Sequence, residues 1–145
     1  MNSQPRVAAD IMNRELVTLE ETQNLRFLPE VMKIFRFRHM PVVDGDRLVG
    51  LVTERDVLRV SASSLLPTAR EQTDFLARTF VVRDMMTRDV RSVRPDTPLA
   101  EVGRMMRRDK IGCVPVVEGE NKLVGIITEA DFVTLSLRLL DAEPR

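Results

Sequence analysis

The chain has 145 residues, enough for one compact domain or for two half-domains that share a core. With 43% apolar and 30% charged residues it matches ordinary soluble globular proteins, which excludes a disordered, collagen-like or disulfide-built scaffold. Its 22 basic and 22 acidic residues cancel, which removes the broad electrostatic attraction that nucleic acid or an anionic membrane requires.

The opening stretch "MNSQPRVAAD" lacks the basic-then-apolar layout of a signal peptide, and no apolar run approaches the ~20 residues of a membrane span. Cys113 is the single cysteine, so no internal disulfide can form. The expectation is a cytoplasmic protein that partners neither nucleic acid nor membrane.

In chain order, "LVTL" (Leu16 to Leu19) reads as a short strand. Leu25, Leu28, Val31, Met32 and Phe35 then recur at helical spacing opposite the polar Glu30, Lys33 and Arg36. Pro29 lies inside that pattern, where a regular helix would lose about 3 kcal/mol, so a kink or a displaced helix start is expected. "MPVV" and "RLVGLV" are β-rich runs joined by the hairpin signature Asp44-Gly45-Asp46, and a second helix follows Thr53. In residues 59–80, Leu65, Leu66, Phe75, Leu76 and Phe80 are too apolar for a free linker, so part of this stretch is expected to be helical and packed.

From residue 81 the chain repeats itself. "VAADIMNRELVTL" lies over "VVRDMMTRDVRSV", matching Asp10 with Asp84, Met12 with Met86 and Arg14 with Arg88. "MPVVDGDRLVGLVTERD" lies over "VPVVEGENKLVGIITEAD", with one extra residue near Asn121, inside a Gly-containing turn where a duplicated fold tolerates it. Each copy reads strand, helix, strand, strand, helix. In the second, Thr97 or Asp96 is the expected N-cap before Pro98, and Gly103 stands where the first has Pro29. The expected boundaries are repeat one at 7–62, a partly helical connector at 63–80 and repeat two at 81–140, in one integrated module. Neither copy should fold alone, because three short strands and two helices leave one sheet face bare.

The motif G-x-x-T-x-x-D closes a strand and opens a helix in both copies: Gly50, Thr53 and Asp56, then Gly125, Thr128 and Asp131. Its glycine leaves room for close approach by another chain segment or a ligand. The threonine can cap the helix or present its hydroxyl to a phosphate, and the aspartate can accept from the two hydroxyls of a ribose. The same Thr and Asp fit a capping pattern that needs no ligand.

Together, the "D-x-M" opening, the "P-V-V" strand and the "L-V-G-h-h-T-E-x-D" ending resemble the cystathionine beta-synthase (CBS) domain, and their tandem arrangement resembles a CBS pair, or Bateman module, over roughly residues 7–138. The resemblance implies an α/β (α+β) fold of two β-α-β-β-α repeats packed face to face with pseudo-twofold symmetry. It also implies two clefts, each combining the opening and pre-proline segments of one copy with the Thr and Asp of the other. The first would take Met12, Val17, Thr18, Arg38, His39, Met40 and Pro41 with Thr128 and Asp131. The second would take Met86, Arg91, Ser92, Gly112, Cys113, Val114 and Pro115 with Thr53 and Asp56. No cofactor is obligatory; the ligands implied are AMP, ADP, ATP or S-adenosylmethionine. The two clefts are unequal, since Arg38 and His39 give way to Gly112 and Cys113, and Arg55 to Ala130, although Lys110 and Arg55 remain within possible reach of a phosphate.

Other tempting residues have plainer readings. A metal cage needs three or four ligands, and His39 and Cys113 have no further His or Cys to complete one, so no metal site is expected. The methionines, among them Met85, Met86, Met105 and Met106, fit core and cleft lining, and Arg104, Arg107, Arg108 and Lys110 fit a solvated helix face. No paired-carboxylate or triad constellation stands out, so the expectation is a non-catalytic regulatory module, not an enzyme. As the resemblance implies, it would bind an adenine nucleotide and pair as a homodimer, and it would pass its signal to a separate, unidentified downstream protein or into self-association. The competing expectation is a ligand-free dimerisation module with vestigial clefts.

Overall fold

Along "RLVGLVT" and "KLVGIIT" every second side chain is buried, the period-two pattern of a strand with one face against a core. The computed structural model describes residues 3–24, 26, 28–62, 71 and 80–142. Their elements run α1 (Ala8–Ile11), β1 (Leu19–Glu20), α2 (Leu28–Phe35), β2 (His39–Asp44), β3 (Arg47–Thr53), α3 (Glu54–Ala62), α4 (Val82–Met85), α5 (Leu99–Asp109), β4 (Cys113–Glu118), β5 (Lys122–Thr128) and α6 (Glu129–Ala142). The expected packed connector at 63–80 lies outside the described residues, apart from Glu71 and Phe80.

The chain divides into two compact units, one of residues 17–90 and the other of residues 1–16 with 91–145. Each unit therefore holds the body of one repeat and the opening segment of the other. In the first, Val82 and Met86 from the start of repeat two join Leu28, Met32, Met40, Val42, Val52 and Val57 in one buried cluster. In the second, Ala8 and Met12 from the start of repeat one join Val93, Leu99, Val102, Met106, Val114, Val116 and Ile127. Burial of apolar surface drives both clusters, at roughly 25 cal/mol per Å², and each draws on residues far apart in sequence.

Within residues 17–90, β2 and β3 pair antiparallel around the two-residue turn Gly45–Asp46, with Gly45 at a φ of 64° that glycine adopts without strain. Strand β1 pairs parallel to β2 through Leu19 and Val42. It is shorter than the "LVTL" pattern suggests. Val17 is 46% exposed and Thr18 is exposed, so the pairing begins only at Leu19. In the other unit β4 and β5 form the matching hairpin, and Val93 makes a single parallel bridge to Val116 where repeat one has β1. The extra residue of this hairpin is absorbed by a three-residue turn in which Asn121 takes a φ of 68°, a conformation Asn tolerates well.

The long helices begin differently. Helix α2 opens at Leu28, three residues later than its counterpart α5, so Pro29 falls in the first turn, where its missing N–H forfeits no helical hydrogen bond. The displaced start expected from Pro29 is thus found. Helix α5 opens at Leu99 with Pro98 at the N-cap and no side-chain cap, which corrects the expectation of a Thr97 or Asp96 cap. The Thr97 hydroxyl instead accepts from the Arg94 amide at 2.9 Å, and the Leu99 amide donates to the Arg6 carbonyl at 2.8 Å. A backbone oxygen of the opening segment therefore does the capping, which a search for capping side chains cannot reveal. Both long helices end in a left-handed residue, Arg36 and Lys110.

Candidate functional site

Each opening segment is fastened by the same set of bonds. Met12 Sδ lies where a side chain at Gly125 would be, 2.5 Å from an ideal Cβ, and Met86 Sδ stands in the same relation to Gly50. Asn13 exchanges two backbone hydrogen bonds with Ile126 (2.9 and 3.0 Å), and Thr87 exchanges two with Leu51 (both 2.9 Å). The close approach that the motif glycine permits is therefore made by the other repeat's methionine. Asp10 accepts from the amides of Arg6 and Val7 at 2.7 and 2.9 Å, and Asp84 accepts from Val81 at 2.9 Å. The two amides, Arg6 first, hold the Asp10 carboxyl below the usual carboxylate range. The recurring Asp of "D-x-M" thus secures the turn that delivers the methionine.

The Thr and Asp of the motif follow at the end of the seat strand. In repeat one the Thr53 amide donates to Asp56 Oδ2 at 2.9 Å and the Asp56 amide donates to Thr53 Oγ1 at 3.2 Å, a reciprocal cap at the start of α3. In repeat two the Thr128 amide and hydroxyl both donate to Asp131 Oδ2, at 2.8 and 3.2 Å. The capping reading is realised in full in repeat one, whereas in repeat two only the carboxylate half of the cap forms. It uses one carboxylate oxygen. Among the described residues Oδ1 of Asp56 and of Asp131 accepts no hydrogen bond, and both residues are half-buried at the end of a sheet.

The pre-proline segments lie beside the motif of their own repeat. His39 is the cross-strand partner of Thr53, and Cys113 that of Thr128. The carbonyls of Arg38 and Gly112 accept from the first helical amides, Glu54 and Glu129, at 2.8 and 3.2 Å. Residues 17–90 accordingly bring together Val17, Thr18, Arg38, His39, Met40, Pro41, Thr53 and Asp56, with Met86 seated on Gly50. The other unit holds Arg91, Ser92, Gly112, Cys113, Val114, Pro115, Thr128 and Asp131, with Met12 seated on Gly125. Met40, Pro41, Val114 and Pro115 are buried in their cores, and Met12 and Met86 retain 8% exposure. Burial pushes the Cys113 thiol up to about 12, with the Asp131 carboxylate adding to the effect, so the thiol stays protonated.

The surrounding charges are exposed apart from the half-buried Asp109. Arg38 lies 3.8 Å from Glu54, and Arg91 lies 3.8 Å from Asp109, which also takes the Arg108 guanidinium at 3.0 Å. The Arg108 hydrogen bond holds the Asp109 carboxyl low. Arg104, Arg107, Arg108 and Lys110 are all exposed, as a solvated helix face requires. Among the described residues no three His, Cys, Asp or Glu side chains are grouped to hold a metal, and no helix is long and apolar enough to cross a membrane. A surface groove of about 670 Å³ beside α6 is lined by Ser3, Gln4, Pro5, Asp10, Arg138, Leu139 and Ala142, none of them a predicted site residue.

The duplicated strand–helix motif, the seated methionines and the paired caps define a tandem CBS architecture, and the CBS domain family model matches residues 7–63 and 82–138: the chain belongs to the CBS domain family. A CBS domain-containing protein of Dictyostelium discoideum is 26% identical over 135 residues, covering 92% of this chain and 93% of its own. Among solved structures, a protein assigned to acetoin utilization (AcuB) in Vibrio cholerae is 37% identical, covers 98% of this chain and 100% of its own, and superposes with a TM-score of 0.78. CBSX2, solved in complex with AMP, is 26% identical over 94% of this chain and 99% of its own, also with a TM-score of 0.78.

Proposed function

We propose that the chain is a non-catalytic regulatory module that binds an adenine nucleotide or a related adenosyl ligand, with AMP, ADP, ATP and S-adenosylmethionine as the candidates. The observation that carries this reading is the motif aspartate: its Oδ2 completes a helix cap while Oδ1 keeps its full capacity to accept from a ribose hydroxyl. The AMP held by CBSX2 supports the choice of ligand. The residues offered to a ligand are Val17, Thr18, Arg38, His39, Thr53 and Asp56, with Arg91, Ser92, Gly112, Cys113, Thr128 and Asp131 as their counterparts in the duplication. Because Met40, Pro41, Val114 and Pro115 are buried, the pre-proline strands would offer backbone edges to an adenine.

The module works in the cytoplasm as a homodimer and signals to a separate protein or through its own association. Support for pairing comes from α6, where Val133, Leu137 and Leu140 follow one helical stripe at 58, 57 and 64% exposure, an apolar face left open among the described residues. A Leu137→Glu substitution should shift the mass measured by light scattering to that of a monomer.

Thermal unfolding with each candidate ligand tests the binding. At ~100 times its dissociation constant a ligand adds ~2.7 kcal/mol of stability. Asp56→Ala and Asp131→Ala together should remove that gain. Unchanged unfolding with all four ligands would leave the two aspartates as helix caps only.

A further inference from the structure

Helices α5 and α6 lie side by side. A Cβ at Gly103 of α5 would meet a ring carbon of Phe132 on α6 at 3.4 Å. Arg107 stands one turn after Gly103, which places it on the α6 side of α5, with Arg104 three residues before it on the same face. On α6, Glu129 lies one turn before Val133 and Asp141 one turn after Leu137, so a carboxylate closes each end of the exposed apolar stripe. Arg104, Arg107, Glu129 and Asp141 are exposed, and their side chains form no hydrogen bond or ion pair among the described residues.

The two helices carry opposite charge. Helix α5 has Arg104, Arg107 and Arg108 against Glu101 and Asp109, and Asp109 already holds Arg108 at 3.0 Å. Helix α6 has Glu129, Asp131 and Asp141 against Arg138. The matched helices of repeat one have no such polarity: Glu30 balances Lys33 on α2, and Glu54 and Asp56 balance Arg55 and Arg59 on α3. The exposed apolar residues there, Ile34 and Leu58, stand amid mixed charge.

A face that is basic on one helix and acidic on the next fits a second copy of itself. Under a twofold axis residue i of one copy meets residue j of the other and j meets i, so a single rotation sets each α5 against the partner's α6. Two α6 stripes laid together without the arginines would bring carboxylates to carboxylates at both ends, whichever way the helices run, and like charges so placed oppose association. Arg104 and Arg107 offset them.

We infer that the chain pairs through repeat two alone: the stripe of Val133, Leu137 and Leu140 covers the same stripe of a second copy, while Arg104 and Arg107 meet the partner's Glu129 and the partner's Asp141. This rests on the homodimer proposed above and names the repeat that forms it.

Light scattering of the full chain over a range of concentrations tests the inference. Arg104→Glu with Arg107→Glu should raise the dimer dissociation constant at least tenfold, and Glu129→Arg with Asp141→Arg should do the same. All four together should restore most of the loss, and added salt should narrow the differences. Cys113 is buried, so one added thiol reports by itself: a bis-maleimide should join Leu137→Cys to its copy and leave Leu58→Cys unjoined. Each of these positions is exposed, so a failure to fold does not cloud them. A dimer that Leu137→Cys leaves unjoined, that Leu58→Cys joins, or whose mass is unmoved by the charge reversals would overturn the inference and leave the homodimer standing. An unmodified chain that stays monomeric at every concentration would bring down the homodimer reading and this inference with it.

Discussion

The unit of residues 17–90 and the unit of residues 1–16 with 91–145 use one fastening twice and build around it with different freedom. Met86 on Gly50 and Met12 on Gly125 sit alike, and the backbone bonds of Thr87 to Leu51 match those of Asn13 to Ile126. The helices beside these seats do not match. Helix α5 runs for 11 residues from Leu99, and α2 for 8 from Leu28 because Pro29 must fall in a first turn. Where one repeat must receive a piece of the other, the duplication keeps the same methionine sulfur against the same glycine. Where a repeat answers only to its own interior, a helix start can move by nearly a turn.

Removing a seated methionine is the most forceful way to break that likeness. Met12→Ala and Met86→Ala each empty a core position and should cost about 2–5 kcal/mol, read from urea unfolding. A mutant that loses its stability in one unit only, leaving a second unfolding transition in place, would show that the two seats matter unequally.

Filling the seat from the other side should cost less. Gly125→Ala puts a Cβ 2.5 Å from Met12 Sδ and 3.0 Å from its Cβ, whereas at Gly50 the methionine atoms crowded are Sδ and Cγ of Met86. Overpacking of this kind costs about 1–3 kcal/mol at either position, since a Cβ at Gly50 also meets the Thr87 carbonyl oxygen at 3.1 Å. Met12→Ala introduced with Gly125→Ala should recover part of the loss, and strict additivity in this double-mutant cycle would deny the contact.

The caps sharpen the comparison at smaller scale. Thr53→Ala removes the acceptor of the Asp56 amide and should cost about 1 kcal/mol. Thr128→Ala should cost less in the same chemical denaturation assay, because its hydroxyl only donates to a carboxylate that the Thr128 amide still bonds. The smallest effect is a pH dependence. The Asp10 carboxyl is held below its ordinary value of 3.8, so its contribution is complete above that value and is lost as pH falls through the lower folded-state one. Asp10→Asn should flatten the acid side of the stability curve while leaving the shape near neutral pH unaltered.

Much of this architecture was legible in the sequence, and the pattern of what was not is instructive. The β-rich runs and their turn residues identified β2 to β5, the repeated Gly announced a close approach, and Pro29 announced a kink or a displaced helix start. The Thr–Asp spacing declared a cap, which the hydrogen bonds realise in full in repeat one. Hidden were the facts that depend on backbone atoms. The cap of Leu99 is the carbonyl of Arg6, and nothing about the Arg6 side chain advertises it. The strand expected at Leu16–Leu19 is found displaced to Leu19–Glu20, because residue type speaks of propensity, whereas pairing requires a neighbouring strand, and β2 meets the chain only from Leu19 onward. For the candidate site, residue types were readable from the repeat. Their neighbours within each unit, His39 across from Thr53 and Cys113 across from Thr128, follow from hairpin register, which one-dimensional matching of the two copies does not report.

The exchange of opening segments also bears on how the protein is made. Residues 6–13 leave the ribosome well before Gly125 and Ile126, the residues that complete the place they occupy. Until then Ala8 and Met12 travel with their apolar surface uncovered, and repeat one must in turn wait for Val82 and Met86. The contiguous unit of residues 17–90 has all its core residues once Val82 and Met86 are made, whereas the other unit waits for Gly125 and Ile126, so a chain stalled before residue 125 would carry an uncovered apolar opening segment beside one unit whose core is complete.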